Sequence, residues 1–326
     1  MKALLCHAYG PIDTLTVDEV PSPVPGPGQV LVTVKAASIN FPDALIVQGR
    51  YQARPPVPFA PGSELAGVVK AVGDGVTRLK PGDRVIAAVS TGAFAEECLA
   101  DAARTLPLPE GMDFDIGASF ILTYGTSLHA LKDIGKIQPG ETLLVLGAAG
   151  GVGLAAIEIA KAFGARVIAA ASTPDKLALC RRVGADELVN YSEPDWRKQL
   201  DALTGGKGVD VVYDPVGGPY TETALRATGW RGRYLVIGFA NGEIPKIPLN
   251  LALLMERAIL GVFWGAAIGR APEKHLANMK LLGEWFTQGK VKPVISERVS
   301  LADAKDAIAR LASRQAMGKI VVTPGT

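Results

Sequence analysis

Beyond residue 118 the apolar positions alternate between two rhythms. Short, nearly continuous apolar runs (ETLLVLGA, RVIAAAS, VDVVYDP and GRYLVIG) alternate with segments of helical period (TSLHALKDIG, GLAAIEIAKAFG, TPDKLALCRRVG, DWRKQLDALTG and YTETALRATG), and a shorter strand, ELVNY, lies among them. Strands apolar on both faces need cover on both, so this spacing predicts a parallel, doubly wound sheet flanked by helices. Thr173 stands where it caps the helix that begins at Pro174. Before residue 119 the segments KALLCHAYG, QVLVTVKAASI, GVVKAVG and DRVIAAV are β-like, and PSPVPGPG, RPPVPFAPG and LKPGD punctuate them. That grammar predicts an irregular, mainly β domain whose turns are set by proline. The final third supplies LALLMERA, the apolar strand ILGVFWG and the amphipathic PEKHLANMKLLGEWFTQG, then LADAKDAIARLASRQAMGKIVVTPG, whose helix and strand are expected to return to the first domain. The expected α/β chain thus has one domain over 1–118 and 266–326 and a doubly wound one over 119–265.

Composition narrows the function classes. The 326 residues are 48% hydrophobic and 20% charged, the profile of a folded chain. Lys plus Arg number 34 against 32 Asp plus Glu, a net charge of +2 that gives no footing for a nucleic acid or an anionic membrane as partner. Cys6, Cys98 and Cys180 are too scattered for a CxxC metal site or a disulfide framework, and an odd count suits a reducing compartment. The N-terminal apolar run is too short for a signal peptide, and LNLALLMERAILGVFWGAAIG carries Glu256 and Arg257 in its middle. A cytoplasmic protein with buried thiols is the expectation. His7, His129 and His275 are widely separated, which favours structural or surface roles.

Candidate chemistry begins at VLGAAGGVG, Val145 to Gly153, where Ala148, Gly150 and Gly153 take three small-residue positions. Gly150, with Gly151 and Val152 beside it, suits close approach of a pyrophosphate to backbone N–H groups, and Gly153 suits packing of helix on sheet. Small residues also serve a purely structural turn; the strand before and helix after favour the dinucleotide reading. At the end of the next strand Ala171, Ser172 and Thr173 offer no carboxylate, and Lys176 follows. An adenosine 2′-phosphate meets attraction there rather than repulsion, so NADPH is favoured over NADH. Lys176 also fits a solvent-facing helix position.

From KALLCHAYG through INFPD, PGSELAGVVKAVGDGVTRLKPGDRV, LTYGTSLHAL, GAAGGVG and GADELVNY to MGKIVV, the chain resembles the medium-chain dehydrogenase/reductase superfamily, in its zinc-free NADPH:quinone oxidoreductase (zeta-crystallin-like) branch. The resemblance implies a GroES-like, mainly β catalytic domain and a Rossmann nucleotide-binding domain. Where zinc-dependent relatives place a catalytic Cys and a metal-binding His, this chain has Asn40 and Ser63; the later ligand region falls near Ala118 and Ser119, and the lobe with four cysteines is missing. No metal is expected.

The resemblance further implies a reduced nicotinamide in a cleft between domains, with a quinone or conjugated carbonyl against it. It puts Asn40 and Asp43 in the lining, where they also fit a turn cap and its partner. It puts Tyr51 beside the quinone. Thr123 and Tyr124 fall near the nicotinamide, and Phe239, Phe263 and Trp264 form a cofactor-side wall, although core packing explains such aromatics as well. Tyr191 and Arg314 join Ser172 and Lys176 around the 2′-phosphate, and Lys319 reaches the cofactor backbone. Three activities fit: direct hydride transfer to a quinone, reduction of the C=C bond of α,β-unsaturated carbonyls or enoyl-CoAs, and non-catalytic NADPH binding by a structural or RNA-binding protein. RAILGVFW is an apolar edge that related proteins pair between subunits, so a homodimer is expected.

Overall fold

The computed structural model describes residues 1–325, and the chain forms two compact units. Thr326, the last residue of the first expected domain, lies outside the described residues.

The first unit takes Met1–Leu122 and the chain from Pro293 onward. Its seven-stranded sheet runs in the order Ile295–Ser300, Lys319–Thr323, Gln29–Ser38, Glu64–Val72, Arg84–Ala88 and Thr105–Pro107, with Glu97–Asp101 also paired to Gln29–Ser38. The β-branched centre of Gln29–Ser38 is buried, which makes this strand the spine of the core. Register then brings distant residues together. Antiparallel pairing sets Val321 opposite Ser38 and Ala37 opposite Leu65. The Ile39 N–H donates to Ile320 O at 2.9 Å, so Lys319, Asn40 and Glu64 converge at one end of three neighbouring strands.

The second unit spans Thr123–Lys292. Its six strands are parallel and lie in the order Glu187–Asn190, Arg166–Ala171, Thr142–Val145, Val209–Asp214, Thr228–Val236 and Ala258–Gly261. This is the strand order of a doubly wound nucleotide-binding fold, which reverses direction beside Thr142–Val145. Each anticipated strand and helix of this region is present. ILGVFWG, however, splits: the strand ends at Gly261 and a helix begins at Trp264.

The domain limits differ from those expected at 118/119 and 265/266. Residues 266–292 belong to the second unit because the helix Pro272–Thr287 is fastened there. Asn278 Nδ2 donates to Asp133 Oδ2 at 2.9 Å, and Lys132 Nζ donates to Asn278 Oδ1 at 3.0 Å. Trp285 packs edge-on against Phe163 with centroids 5.2 Å apart. The expected return of the last helix and strand holds, since Lys319–Thr323 pairs with Gln29–Ser38. Among the described residues no helix is long and apolar enough to cross a membrane.

Candidate functional site

In the first unit, Asn40 caps the helix Phe41–Val47 and Pro42 lies in its first turn. Asp43 turns back so that its Oδ2 accepts the Asn40 N–H at 2.7 Å. Asn40 Oδ1 accepts from Lys319 Nζ at 2.6 Å, and Asn40 Nδ2 donates to Glu64 Oε1 at 2.9 Å and to Ser38 O at 3.2 Å. The amide is therefore turned into the protein, where both of its ends are engaged. Lys319, expected on the cofactor backbone, is only 4% exposed, and its ammonium lies 3.1 Å from Glu64 Oε1. With Ile39 O at 3.4 Å, three oxygens thus hold one buried cation, and Lys319 is an organiser of Asn40 rather than a surface hand.

Asp43 is fully enclosed. Burial pushes its carboxyl up to about 7 and the Glu64 charge adds to this, against the Asn40 N–H, the Lys319 charge and the Ser63 hydroxyl. Ser63 Oγ lies 3.3 Å from Asp43 Oδ1. Tyr51 is half-buried against the same core, and its phenol is pushed up by burial and by the Asp43 charge. Asn40, Asp43 and Tyr51 are therefore brought together, with Ser38, Glu64 and Lys319 behind them.

In the second unit the glycine-rich turn ends in the helix Gly151–Ala162, capped by Gly150 without a side-chain hydrogen bond. The N–H groups of its first turn have no carbonyl of their own helix to meet, and such a helix end favours anions. A Cβ on Gly150 would meet only Gly147 O at 3.4 Å, whereas one on Gly153 would lie 2.6 Å from Gly147 O and 2.7 Å from Ala148 Cα. Gly150 therefore has space around it, whereas Gly153 sits against the backbone of the turn. The left-handed residue is Gly147, at φ 56°, so the turn asks for glycine one place before Ala148. Ala148 is fully buried, and its N–H is held by Ala170 O at 3.1 Å.

Two further contacts organise this turn from helix Ile121–Leu128. Ser127 Oγ donates to Val152 O at 2.9 Å and lies 2.8 Å from Tyr213 Oη. Thr123 is buried on that helix, and the Tyr124 hydroxyl donates to Glu158 of the turn's own helix. Burial pushes the Glu158 carboxyl up to about 7 against that hydroxyl and the Lys292 N–H, which lies 3.1 Å from Oε2.

At the end of Arg166–Ala171, Lys176 Nζ lies 3.4 Å from Ser172 Oγ, and the Lys176 N–H reaches the Thr173 hydroxyl at 3.4 Å. The Tyr191 N–H donates to Ala171 O at 3.1 Å, and the Tyr191 ring leans on Tyr220 at 4.4 Å. Ser172, Lys176 and Tyr191 therefore share one corner. Arg314 belongs to the other unit, after helix Ala304–Ala312, and has left-handed backbone at φ 62°.

Two of the aromatics expected beside the nicotinamide, Phe239 and Trp264, each lie against a glycine. A Cβ on Gly217 would lie 2.8 Å from the Phe239 ring, and one on Gly125 would lie 2.7 Å from that of Trp264. Buried Asp214 shapes the loop under Phe239 by accepting the N–H groups of Val216 at 2.7 Å and Gly217 at 2.9 Å, the Thr221 hydroxyl at 3.1 Å and the Tyr234 hydroxyl at 2.5 Å. Trp264 also meets His275 edge-on at 5.7 Å, while Phe263 is 56% exposed.

All three cysteines are buried thiols, with burial pushing Cys98 and Cys180 up to about 12. Among the described residues no three His, Cys, Asp or Glu side chains converge as metal ligands. His129 pairs with Asp133 at 3.0 Å and His7 with Asp18 at 2.7 Å.

Comparison with known proteins agrees with this architecture. Residues 26–110 match the alcohol dehydrogenase GroES-like domain, and residues 151–280 match the zinc-binding dehydrogenase family model. Quinone oxidoreductase-like protein 2 of Rattus norvegicus is 38% identical over 95% of this chain and 89% of its own length. A quinone oxidoreductase of Pseudomonas aeruginosa is 37% identical over 99% of both chains. The Escherichia coli quinone oxidoreductase solved in complex with NADPH superposes with a TM-score of 0.93 at 31% identity, covering 99% of this chain and 100% of that one. The two units are thus a GroES-like domain and a Rossmann domain. The chain belongs to the medium-chain dehydrogenase/reductase superfamily, in its quinone oxidoreductase branch, and is an oxidoreductase.

The name of the second family model implies zinc, and the donors present do not suit it. Asn40 and Ser63 replace the Cys and His expected of ligands, and the oxygens of Asn40 and Glu64 already hold the Lys319 ammonium.

Proposed function

We propose that the protein is an NADPH-dependent quinone oxidoreductase in which hydride passes directly from nicotinamide to a quinone without zinc. The observation that carries this reading is the buried Lys319 cluster, an internal cation held by Asn40, which stands where a metal-binding Cys is expected, and by Glu64. Bound NADPH supplies the hydride. This chain's residues bind, orient and exclude water. The first-turn N–H groups after Gly150 suit the pyrophosphate, and Gly151, Val152 and Gly153 shape that turn. Ser172, Lys176 and Tyr191 suit the 2′-phosphate. Phe239, Phe263, Trp264 and Thr123 serve the nicotinamide, and Tyr51 offers the quinone a flat face with a polar tip. The homologous quinone oxidoreductases support the same substrate class.

The test supplies purified protein and NADPH with quinones, short enones and enoyl-CoAs, following cofactor oxidation and product mass together. Hydroquinone formation is expected. Loss of a C=C bond with the carbonyl retained would move the function to enoyl reduction, and bound cofactor without turnover on any electrophile would make the protein a non-catalytic binder.

The protein also works as a cytoplasmic homodimer in this reading. Support for the dimer comes from Ala258–Gly261, which ends the six-stranded sheet and exposes Ile259.

A further inference from the structure

The enclosed charges of the first unit do not balance. Asp43 and Glu64 are 0% and 1% exposed, and Lys319, the ammonium among them, is 4% exposed. Two carboxylates and one ammonium leave a net negative charge in a water-poor interior, which one proton removes. Hydrogen bonding decides where that proton sits. Glu64 Oε1 accepts from Ser38 Oγ, from Asn40 Nδ2 at 2.9 Å and from Lys319 Nζ at 3.1 Å, and Oε2 accepts the Leu122 N–H at 2.9 Å. Both Glu64 oxygens are surrounded by donors, as an ionised carboxylate requires. Asp43 Oδ2 accepts the Asn40 N–H, but Oδ1 faces the Ser63 hydroxyl, a group that accepts as readily as it donates. The proton therefore belongs on Asp43 Oδ1, aimed at Ser63. Ser63 is half-buried, so it is the more accessible end of the pair.

We propose that Asp43 and Ser63 are a proton store and its outlet, delivering the proton that quinone reduction consumes alongside the hydride. This rests on the quinone reductase reading. Hydride addition brings both electrons and leaves an oxygen anion on the substrate. The Ser63 O–H bond breaks as its proton bonds to that anion, while the Asp43 O–H bond breaks and its proton re-forms the Ser63 hydroxyl. Asp43 is left as a carboxylate and regains a proton from solvent before the next turnover. No electron passes through the pair. The 3.3 Å separation is long for transfer, as such contacts commonly are before substrate closes on them. The position of the Asp43 carboxyl near neutrality is consistent with loading and unloading at working pH; Lys319, Glu64 and Ser63 face it, and Tyr51 responds to its charge.

Infrared titration of the full-length protein tests the store without turnover. A protonated-carboxyl band that disappears around pH 7 is expected; Asp43→Asn removes one part of it, Glu158→Gln removes another, and Ser63→Ala leaves both. Quinone reduction tests the outlet. Ser63→Ala and Asp43→Asn are each expected to lower kcat about a hundredfold and remove the inflection near pH 7, with NADPH affinity held. Ser63→Thr, which keeps the hydroxyl, should restore most of the rate. Because the two groups act in series, the double variant should be no slower than either single one. An unchanged band in Asp43→Asn overturns the store. Wild-type rate and pH profile in Ser63→Ala, or losses that multiply in the double variant, overturn the outlet. If the wild-type protein reduces no quinone, the functional reading fails and the outlet falls with it, while the infrared result still decides the store.

Discussion

At the scale of single residues, both the proposed cofactor preference and the pH response can be tested one side chain at a time. The Lys176 ammonium lies 3.4 Å from Ser172 Oγ in the proposed 2′-phosphate corner, and a charge-assisted contact to a phosphate is worth about 1.5–3 kcal/mol. Lys176→Ala should therefore reduce the NADPH-to-NADH ratio of kcat/KM by roughly ten- to a hundredfold, with kcat for NADPH little changed. An unaltered ratio would remove Lys176 from the 2′-phosphate site. Asp43 and Glu158 act on stability in one direction, because burial raises both carboxyls to about 7 from ordinary values of 3.8 and 4.5. Between about pH 4.5 and 7 the native protein retains protons that the unfolded chain has released, so these groups make stability fall as pH rises through that window. Below it both states are protonated, so the slope vanishes and stability holds its full value. Urea unfolding across the window should show this decline, and Asp43→Asn and Glu158→Gln should each make it shallower.

At the scale of the element, the glycine turn shows how position within a motif governs tolerance. Gly147 carries the left-handed backbone, so Gly147→Ala should destabilise by about 1–2 kcal/mol. Gly153→Ala drives a methyl into the backbone of Gly147 and Ala148 and should both destabilise, by about 1–3 kcal/mol, and weaken NADPH binding as the turn shifts. Gly150→Ala has room in the free protein, so its loss should appear in NADPH affinity with thermal stability nearly kept. Fluorescence titration together with thermal unfolding separates the three. The turn was legible in sequence because its signals are local: an apolar strand, small residues and a helix within one stretch. The parallel sheet was legible for the same reason. The buried cluster was not, because Ser38, Glu64 and Lys319 meet only through strand register between segments far apart in the chain. Asn40 and Asp43 were visible as chemistry, but the inward turn of the Asn40 amide was not. Likewise, Pro272–Thr287 was readable as a helix, while its attachment to Asp133 depended on a polar contact that no periodicity encodes.

For the whole molecule, the parallel sheet leaves one question open to physical argument, which is how its last strand is covered. Ala258–Gly261 pairs on one side with Thr228–Val236 and ends the sheet on the other. The chain just before it exposes Leu249, Leu253 and Leu254, with Leu253 77% exposed, and Ile259 is exposed on the strand itself. Apolar exposure beside unpaired strand edges favours association, and a second copy meeting the same edge across a twofold axis satisfies both at once. Phe263 and Trp264 follow that strand directly, so pairing would also hold the aromatic wall proposed for the nicotinamide. Light scattering of the purified protein should therefore give a dimer. Leu253→Lys combined with Ile259→Lys should give a folded monomer by circular dichroism, with weakened NADPH binding because the wall after Gly261 loses its support. A wild-type protein that remains monomeric at every concentration would sink the edge-pairing idea, and a monomeric variant with unaltered NADPH affinity would separate assembly from the cofactor site.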